Sequence, residues 1–227
     1  HPRAVEARLA AVEAALAVSP PDITAASAQL ESLPESTDEA LAPRIALTRL
    51  HLADLSNDPA AAIAAAQFIL DTYPTDPAAA EAALTLGRNL FESGSYNPAR
   101  LVLEKLAASD TNSDRAQVAW LLAARSAALG GTSQSKEEAL ILFDKAIELP
   151  GPVSSMAILE KARHLIDMYR LAEASDFLGK WIKMLHEDDP LQLPAGLLLG
   201  EALYAQGSSN PASLLLALAV YDKLTAQ

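Results

Sequence analysis

The chain contains no cysteine among its 227 residues. Disulfides, thiolate metal ligands and cysteine nucleophiles are therefore excluded, while the redox compartment stays open. Aromatic residues are scarce as well, 5% against 51% hydrophobic overall. The apolar content is thus mostly Ala and Leu, which favours helices packed closely over small side chains. Positive charge is limited: 17 Lys and Arg face 29 Asp and Glu, a net charge of −12. Nucleic acids and anionic membrane surfaces require a cationic footprint, so no nucleic acid is expected as a partner. No apolar run reaches the roughly 18 residues of a membrane span, so no direct membrane insertion is expected either. The chain starts at His1 rather than Met and has no leader-like apolar stretch. It reads as an excised segment of a longer protein, with any signal peptide or anchor already removed. Phosphate-binding glycine loops, His-Glu-x-x-His and Gly-x-Ser-x-Gly are all missing. The expectation is a protein that is not an enzyme and uses no cofactor.

What is present is helical periodicity broken by strong stop signals. Val5, Leu9, Val12 and Leu16 recur at three- and four-residue steps, one apolar stripe on a helix that Ser19-Pro20-Pro21 ends. Asp22 can cap a second helix carrying Ala26, Leu30 and Leu33, which Pro34 and the polar turn Glu35 to Asp38 close. Residues 1–40 thus form a degenerate helix pair, and residues 41–227 an array. Ala62, Ala66 and Ile69 follow a break at Ser56-Asn57-Asp58-Pro59, and prolines 74 and 77 block continuation and reset the next helix. Leu86-Gly87 and Leu90 come next, then a turn at Gly94, then Ala99, Leu103 and Leu106. Trp120, Ala123, Ala124 and Ala127 precede a lengthened loop and Ala139, Phe143 and Ala146. Further on lie Ile158, Ala162 and Leu165 with Ala174, Leu178 and Trp181, then Leu199-Gly200 and Leu203 with Ala217, Tyr221 and Leu224. The segments ALILFDKA and ALAVYDKL, 78 residues apart, match at Ala, Leu, an aromatic and Asp-Lys. Small-residue positions Leu50, Gly87, Ala124, Ala162 and Gly200 are spaced 37, 37, 38 and 38 residues apart. No helix pair has enough apolar face to fold alone, so stacking buries the shared knobs between neighbours. Trp120, Phe143, Trp181 and Tyr221 are read as packing residues.

The pattern Trp120-x2-Ala-Ala-x2-Ala, with Leu86-Gly87, Leu199-Gly200, Ala139-x3-Phe143 and Tyr73-Pro74, resembles the tetratricopeptide family, whose common unit is ~34 residues. That resemblance implies an all-α, right-handed α-α superhelix of about five to six antiparallel helix pairs. It also implies a non-catalytic scaffold that binds a protein or peptide in a concave groove lined by the first helix of each pair. The Tyr73 to Pro77 junction before an Ala-rich helix is similar to exported bacterial arrays that coordinate envelope assembly, which leans towards a periplasmic or exported protein. A helical enzyme or ligand-binding bundle with a dispersed site is a further alternative. A lysine and asparagine clamp for a C-terminal carboxylate occurs in part of the family, and this sequence departs from it.

One position carries the candidate function. The residue after each small position is His51, Arg88, Arg125, Arg163 and Glu201, and in the family this position faces the groove. Helix axes ~8–10 Å apart and ~3.3 Å per extended residue let an acidic side chain about every third residue meet successive cations. His51, Arg88, Arg125 and Arg163 are therefore the candidate contacts for an acidic segment. The competing assignment pairs the arginines with the chain's own acids, such as Glu81, Glu92, Glu160 and Asp167.

Other clusters are read as structural. His186-Glu187-Asp188-Asp189 is a solvated acidic loop, because consecutive residues rarely converge on one ion, and His164 with Asp167 does not define a metal site. Ser133-x-x-Lys136 is the first turn of a helix capped by Ser133 or Ser135. The last helix, from Pro211, carries the run Leu214 to Val220. Such a face predicts a further repeat in the full-length chain or a homotypic contact through that helix.

Overall fold

The computed structural model describes residues 2–33, 41–186 and 188–226. The Pro34 to Asp38 turn, the boundary at residue 40, His1 and Glu187 lie outside the described residues. Among those described, every regular element is an α-helix. The chain forms two compact units, His1–Ser126 and Ala127–Gln227, divided within one helix.

The first unit holds α1 (Pro2–Ala17), α2 (Ile23–Glu31), α3 (Leu41–Leu55), α4 (Pro59–Thr72), α5 (Pro77–Glu92), α6 (Tyr96–Ser109) and most of α7 (Ser113–Leu129). From α1 to α6 each helix packs on the next, and the first helices α1, α3 and α5 also touch in succession. The second unit continues with α8 (Ser133–Glu148), α9 (Ser154–Asp167), α10 (Leu171–Met184), α11 (Gln192–Gln206) and α12 (Ala212–Thr225). They pack in the same consecutive way, and α9 also touches α11.

Local chemistry explains where these helices start and stop. The Asp22, Asp58 and Asp76 carboxylates accept from the backbone amides of Ala25, Ala61 and Ala78, satisfying amides that the first turn leaves unpaired. Prolines stand in the first turn of both α4 and α5, where a missing N–H is harmless. At α8 the cap is Thr132 rather than Ser133 or Ser135. Its hydroxyl accepts from the Ser135 amide, and the Ser135 hydroxyl accepts from the Thr132 amide, a reciprocal box. Ser133-x-x-Lys136 is therefore a helix N-terminal turn. Three first helices end in one shared motif. The amides of Asp58, Ser95 and Arg170 reach back to the carbonyls of Ala53, Leu90 and Leu165, and the residue before each donor has φ of 54° (Asn57), 77° (Gly94) and 59° (Tyr169).

The repeat positions are core. Ala62, Ala66, Ile69, Ala99, Leu103, Ala139, Phe143, Ala162, Ala174 and Leu178 are all 2% exposed or less. Trp120 is buried, Trp181 is half-buried against the Leu178 cluster, and Tyr221 is half-buried. Gly87 explains the close approach of α5 and α6: a Cβ there would stand 2.4 Å from Leu103. Gly200 plays the same part in the last repeat, with the Tyr221 ring edge 2.4 Å from where a Cβ would be.

Candidate functional site

The three-to-four-residue period that buries one side of a first helix leaves the opposite side outward, and the candidate stripe lies there. In the first unit that side is a lattice of ion pairs between successive first helices. Arg44 of α3 grips both carboxylate oxygens of Glu13 on α1. His51 of α3 meets Glu81 of α5 through Nε2, 2.7 Å from Oε1. Arg88 of α5 donates to Asp54 of α3, and the Asn89 amide donates to the other Asp54 oxygen at 3.1 Å. Positive and negative members alternate between helices, so the face is charged but largely self-neutralised.

The hydrogen bond from Glu81 raises the His51 imidazole above its ordinary range, against the opposing effect of burial. The same bond holds the Glu81 carboxyl below the usual carboxylate range. Beside the pair lies an open groove of about 300 Å³ lined by Glu13, Leu16, Thr48, His51, Asp54 and Leu55. Its apolar walls with a few polar groups suit a side chain of a peptide.

In the second unit the equivalent side is different. Arg163 of α9 donates through Nη1 to both carboxylate oxygens of Glu201 on α11, each at 2.8 Å. Beside that pair the face is apolar: Leu193, Leu197 and Tyr204 share the α11 face with Glu201 and are 52%, 49% and 67% exposed. Met156 on α9 stands two turns before Arg163 and is also exposed.

The predicted residues are thus placed as follows. His51 and Arg88 belong to one lattice, Arg163 pairs separately in the second unit, and Arg125 on α7 is half-buried with an interaction of its own. Glu81 does pair, but with His51 rather than with an arginine. Arg88 takes Asp54 instead of Glu92, and Arg163 takes Glu201 instead of Glu160 or Asp167. Asp54 was missed, although it lies three residues past His51 and so on the same helix face. Missed too was the Glu13–Arg44 bridge, whose partners are 31 residues apart and share no motif.

The groups set aside as structural have structural partners. His164 is buried, its Nε2 2.8 Å from the Lys136 carbonyl oxygen. Asp189 accepts from the Leu191 amide at 2.8 Å. Among the described residues, no group of three or more His, Asp or Glu is arranged to hold a metal ion, and no helix is long and apolar enough to cross a membrane.

No sequence-family model matches the chain, and no curated protein matches it. Solved structures do. MamA is 20% identical with a TM-score of 0.60, covering 81% of this chain and 94% of its own. A second MamA structure has a TM-score of 0.56 at 20% identity, with 78% and 97% covered. Nearly identical TPR-like repeats from Podosopora anserina, described as a kinesin light chain, are 16% identical with a TM-score of 0.62, covering 84% of this chain and 96% of theirs. At these identities the likeness is one of fold: antiparallel helix pairs in succession, as in tetratricopeptide-like solenoids.

Proposed function

We propose that this chain is a non-catalytic protein-interaction scaffold that takes a protein or peptide partner along the outward side of its first helices. The observation that carries the reading is the state of the stripe. His51, Arg88 and Arg163 stand at equivalent repeat positions, about half exposed, each held by a carboxylate of a neighbouring first helix. Exposed pairs of this kind are worth only ~0–1 kcal/mol. Within the first unit an acidic segment of a partner can therefore exchange its carboxylates for Glu81 and Asp54 at little cost, while its apolar side chains use the groove beside His51; in the second unit the same exchange is open at Glu201. Arg125 completes the series at the equivalent place on α7. The test begins with a crosslinked pull-down of the partner. Affinity is then compared with stability in Arg88→Ala, Arg125→Ala and Arg163→Ala. Weakened binding with unchanged melting supports the stripe, whereas unchanged affinity with lost stability assigns the arginines to the fold alone.

The homotypic contact belongs to the same reading. Ala174 and Ala217 hold equivalent buried places on α10 and α12, which puts Leu214 and Leu218 where α10 has Leu171 and Ser175. On α10 those two accept hydrogen bonds from Gln206 of α11. On α12 the leucines are 41% and 57% exposed, so a first helix, of a further repeat or of a second copy, is the matching cover. Sedimentation velocity should show association that Leu214→Lys together with Leu218→Lys abolishes; a monomer at all concentrations removes the contact.

A further inference from the structure

The second unit carries a cleft away from the candidate stripe, between its second helices α8 and α10, with α9 as floor. It encloses about 360 Å³. Leu140, Leu165 and Phe177 form an apolar base, and Ile141 stands at the edge, 59% exposed.

The charges around this base are sorted by depth. Lys161 is 13% exposed, paired with Asp144 and set 5.0 Å from the centre of the Phe177 ring. Arg170 is held on two sides, donating through Nη1 to Glu137 and through Nε to Glu173, each at 2.6 Å. Both cations lie inward and are already engaged. Their acids lie outward: the Glu137, Glu173 and Asp144 side chains are 58%, 57% and 49% exposed. An approaching partner therefore meets carboxylates first and an apolar seat behind them.

Spacing narrows the chemistry further. Glu137 and Asp144 are seven residues apart on α8, roughly two turns and about 10 Å, with Ile141 between them on the same face. We infer that this cleft docks a basic amphipathic helix of a protein partner. Its large aliphatic or aromatic side chain rests on Ile141 and Phe177, and Lys or Arg one turn to either side meets Glu137 and Asp144. An acidic segment is refused here by the same three carboxylates, so the cleft and the first-helix stripe select partners of opposite charge. The inference does not rest on the proposed role of the stripe.

The probe is a fluorescein-labelled synthetic helix with one leucine flanked one turn away on each side by lysine, titrated against the full chain and read by anisotropy. The control peptide replaces the leucine by serine and keeps every charge. Saturable binding of the leucine peptide is expected, with the control weaker by about tenfold, the scale of burying one such side chain. Ile141→Ser should produce a similar loss, and Glu137→Gln with Asp144→Asn a separate one. Arg88→Ala, in the other unit, should leave binding unchanged. Equal binding of both peptides would reduce the effect to attraction by an acidic chain and overturn the proposal, as would no binding or indifference to Ile141→Ser. Helicity and melting of each variant establish that it folds; should Ile141→Ser alone fail this, Ile141→Thr replaces it.

Discussion

After α3 and α5 in the first unit, the left-handed turn residue is Asn57 or Gly94; after α9 in the second it is Tyr169. The hydrogen bonds of the three turns are the same, yet the residues differ in what that φ costs them. The outward sides of the first helices differ more. In the first unit, Glu13, Arg44, His51, Asp54, Glu81 and Arg88 cross-link three successive helices. In the second, the Arg163–Glu201 pair sits beside exposed Leu193, Leu197 and Tyr204. Both units bury the equivalent first-helix positions, Leu50, Gly87 and Ala124 in one and Ala162 and Gly200 in the other, at nearly the same spacing. The repeat therefore fixes what faces inward and leaves the outward residues to be set by what each unit meets.

The largest expected effect comes from where the units agree. Gly87→Ala and Gly200→Ala each add a methyl group 2.4 Å from a neighbouring side chain. Overpacking costs typically 1–3 kcal/mol, offset by the ~1 kcal/mol that Ala gains over Gly in a helix. Leu103 is fully buried and has nowhere to go, whereas the half-buried Tyr221 ring can swing outward. Gly87→Ala should therefore destabilise by about 1–2 kcal/mol in urea unfolding and Gly200→Ala by less. The reverse order would mean that α12 is held more tightly than its exposure implies.

Tyr169 is where the units part. It is 87% exposed and makes little use of its ring, so Tyr169→Gly removes backbone strain without removing packing. A gain of about 1 kcal/mol is expected, with Gly94→Ala losing a similar amount in the first unit. No gain at Tyr169 would show that the ring carries an interaction larger than the strain.

Much of this architecture was legible in the residues. Ala62, Ala66 and Ile69 follow the helical period and are buried as it requires, and Asp22 caps α2 as its place before the apolar run suggests. Such features depend on neighbours within one or two turns. The cap of α8 was placed at Ser133 or Ser135 instead of Thr132, because all three are good caps and only backbone geometry separates them. The candidate stripe was visible as recurring cations, but their partners were not. Pairing across helices depends on the stagger of one helix against the next, and the observed separations of 30, 34 and 38 residues for His51–Glu81, Asp54–Arg88 and Arg163–Glu201 follow no single period. The cleft between α8 and α10 was invisible for the same reason, since Glu137 and Arg170 are 33 residues apart and meet only across α9.

The charged lattice predicts unequal couplings. Asp54 is 28% exposed and shared by Arg88 and Asn89, while both members of Arg163–Glu201 are about half exposed. A double-mutant cycle on Arg88 and Asp54 should return about 0.5–1 kcal/mol, and one on Arg163 and Glu201 a few tenths. Equal values would make the lattice no more than a set of independent surface pairs.

The smallest effect is the one that separates the units by pH. His51 has a folded pKa above its ordinary 6.5, so its pairing adds stability below that value and loses it as pH rises through the raised pKa. Glu81 is held below its ordinary 4.5, so its share is present above 4.5 and lost as pH falls through the lowered value. The two windows overlap between 4.5 and 6.5. Because the side chains are 40% and 46% exposed, solvent screening keeps the contribution to a few tenths of a kcal/mol. The stability difference between the parent chain and His51→Gln should be greatest near pH 5–6 and fade as pH rises through the raised His51 pKa. The Arg163–Glu201 pair contains no histidine, so Arg163→Gln should not reproduce that pH profile. If the His51→Gln difference grows towards pH 8 instead, the imidazole is held neutral, and the first-helix side of this unit loses the cation on which the proposed carboxylate exchange at His51 depends.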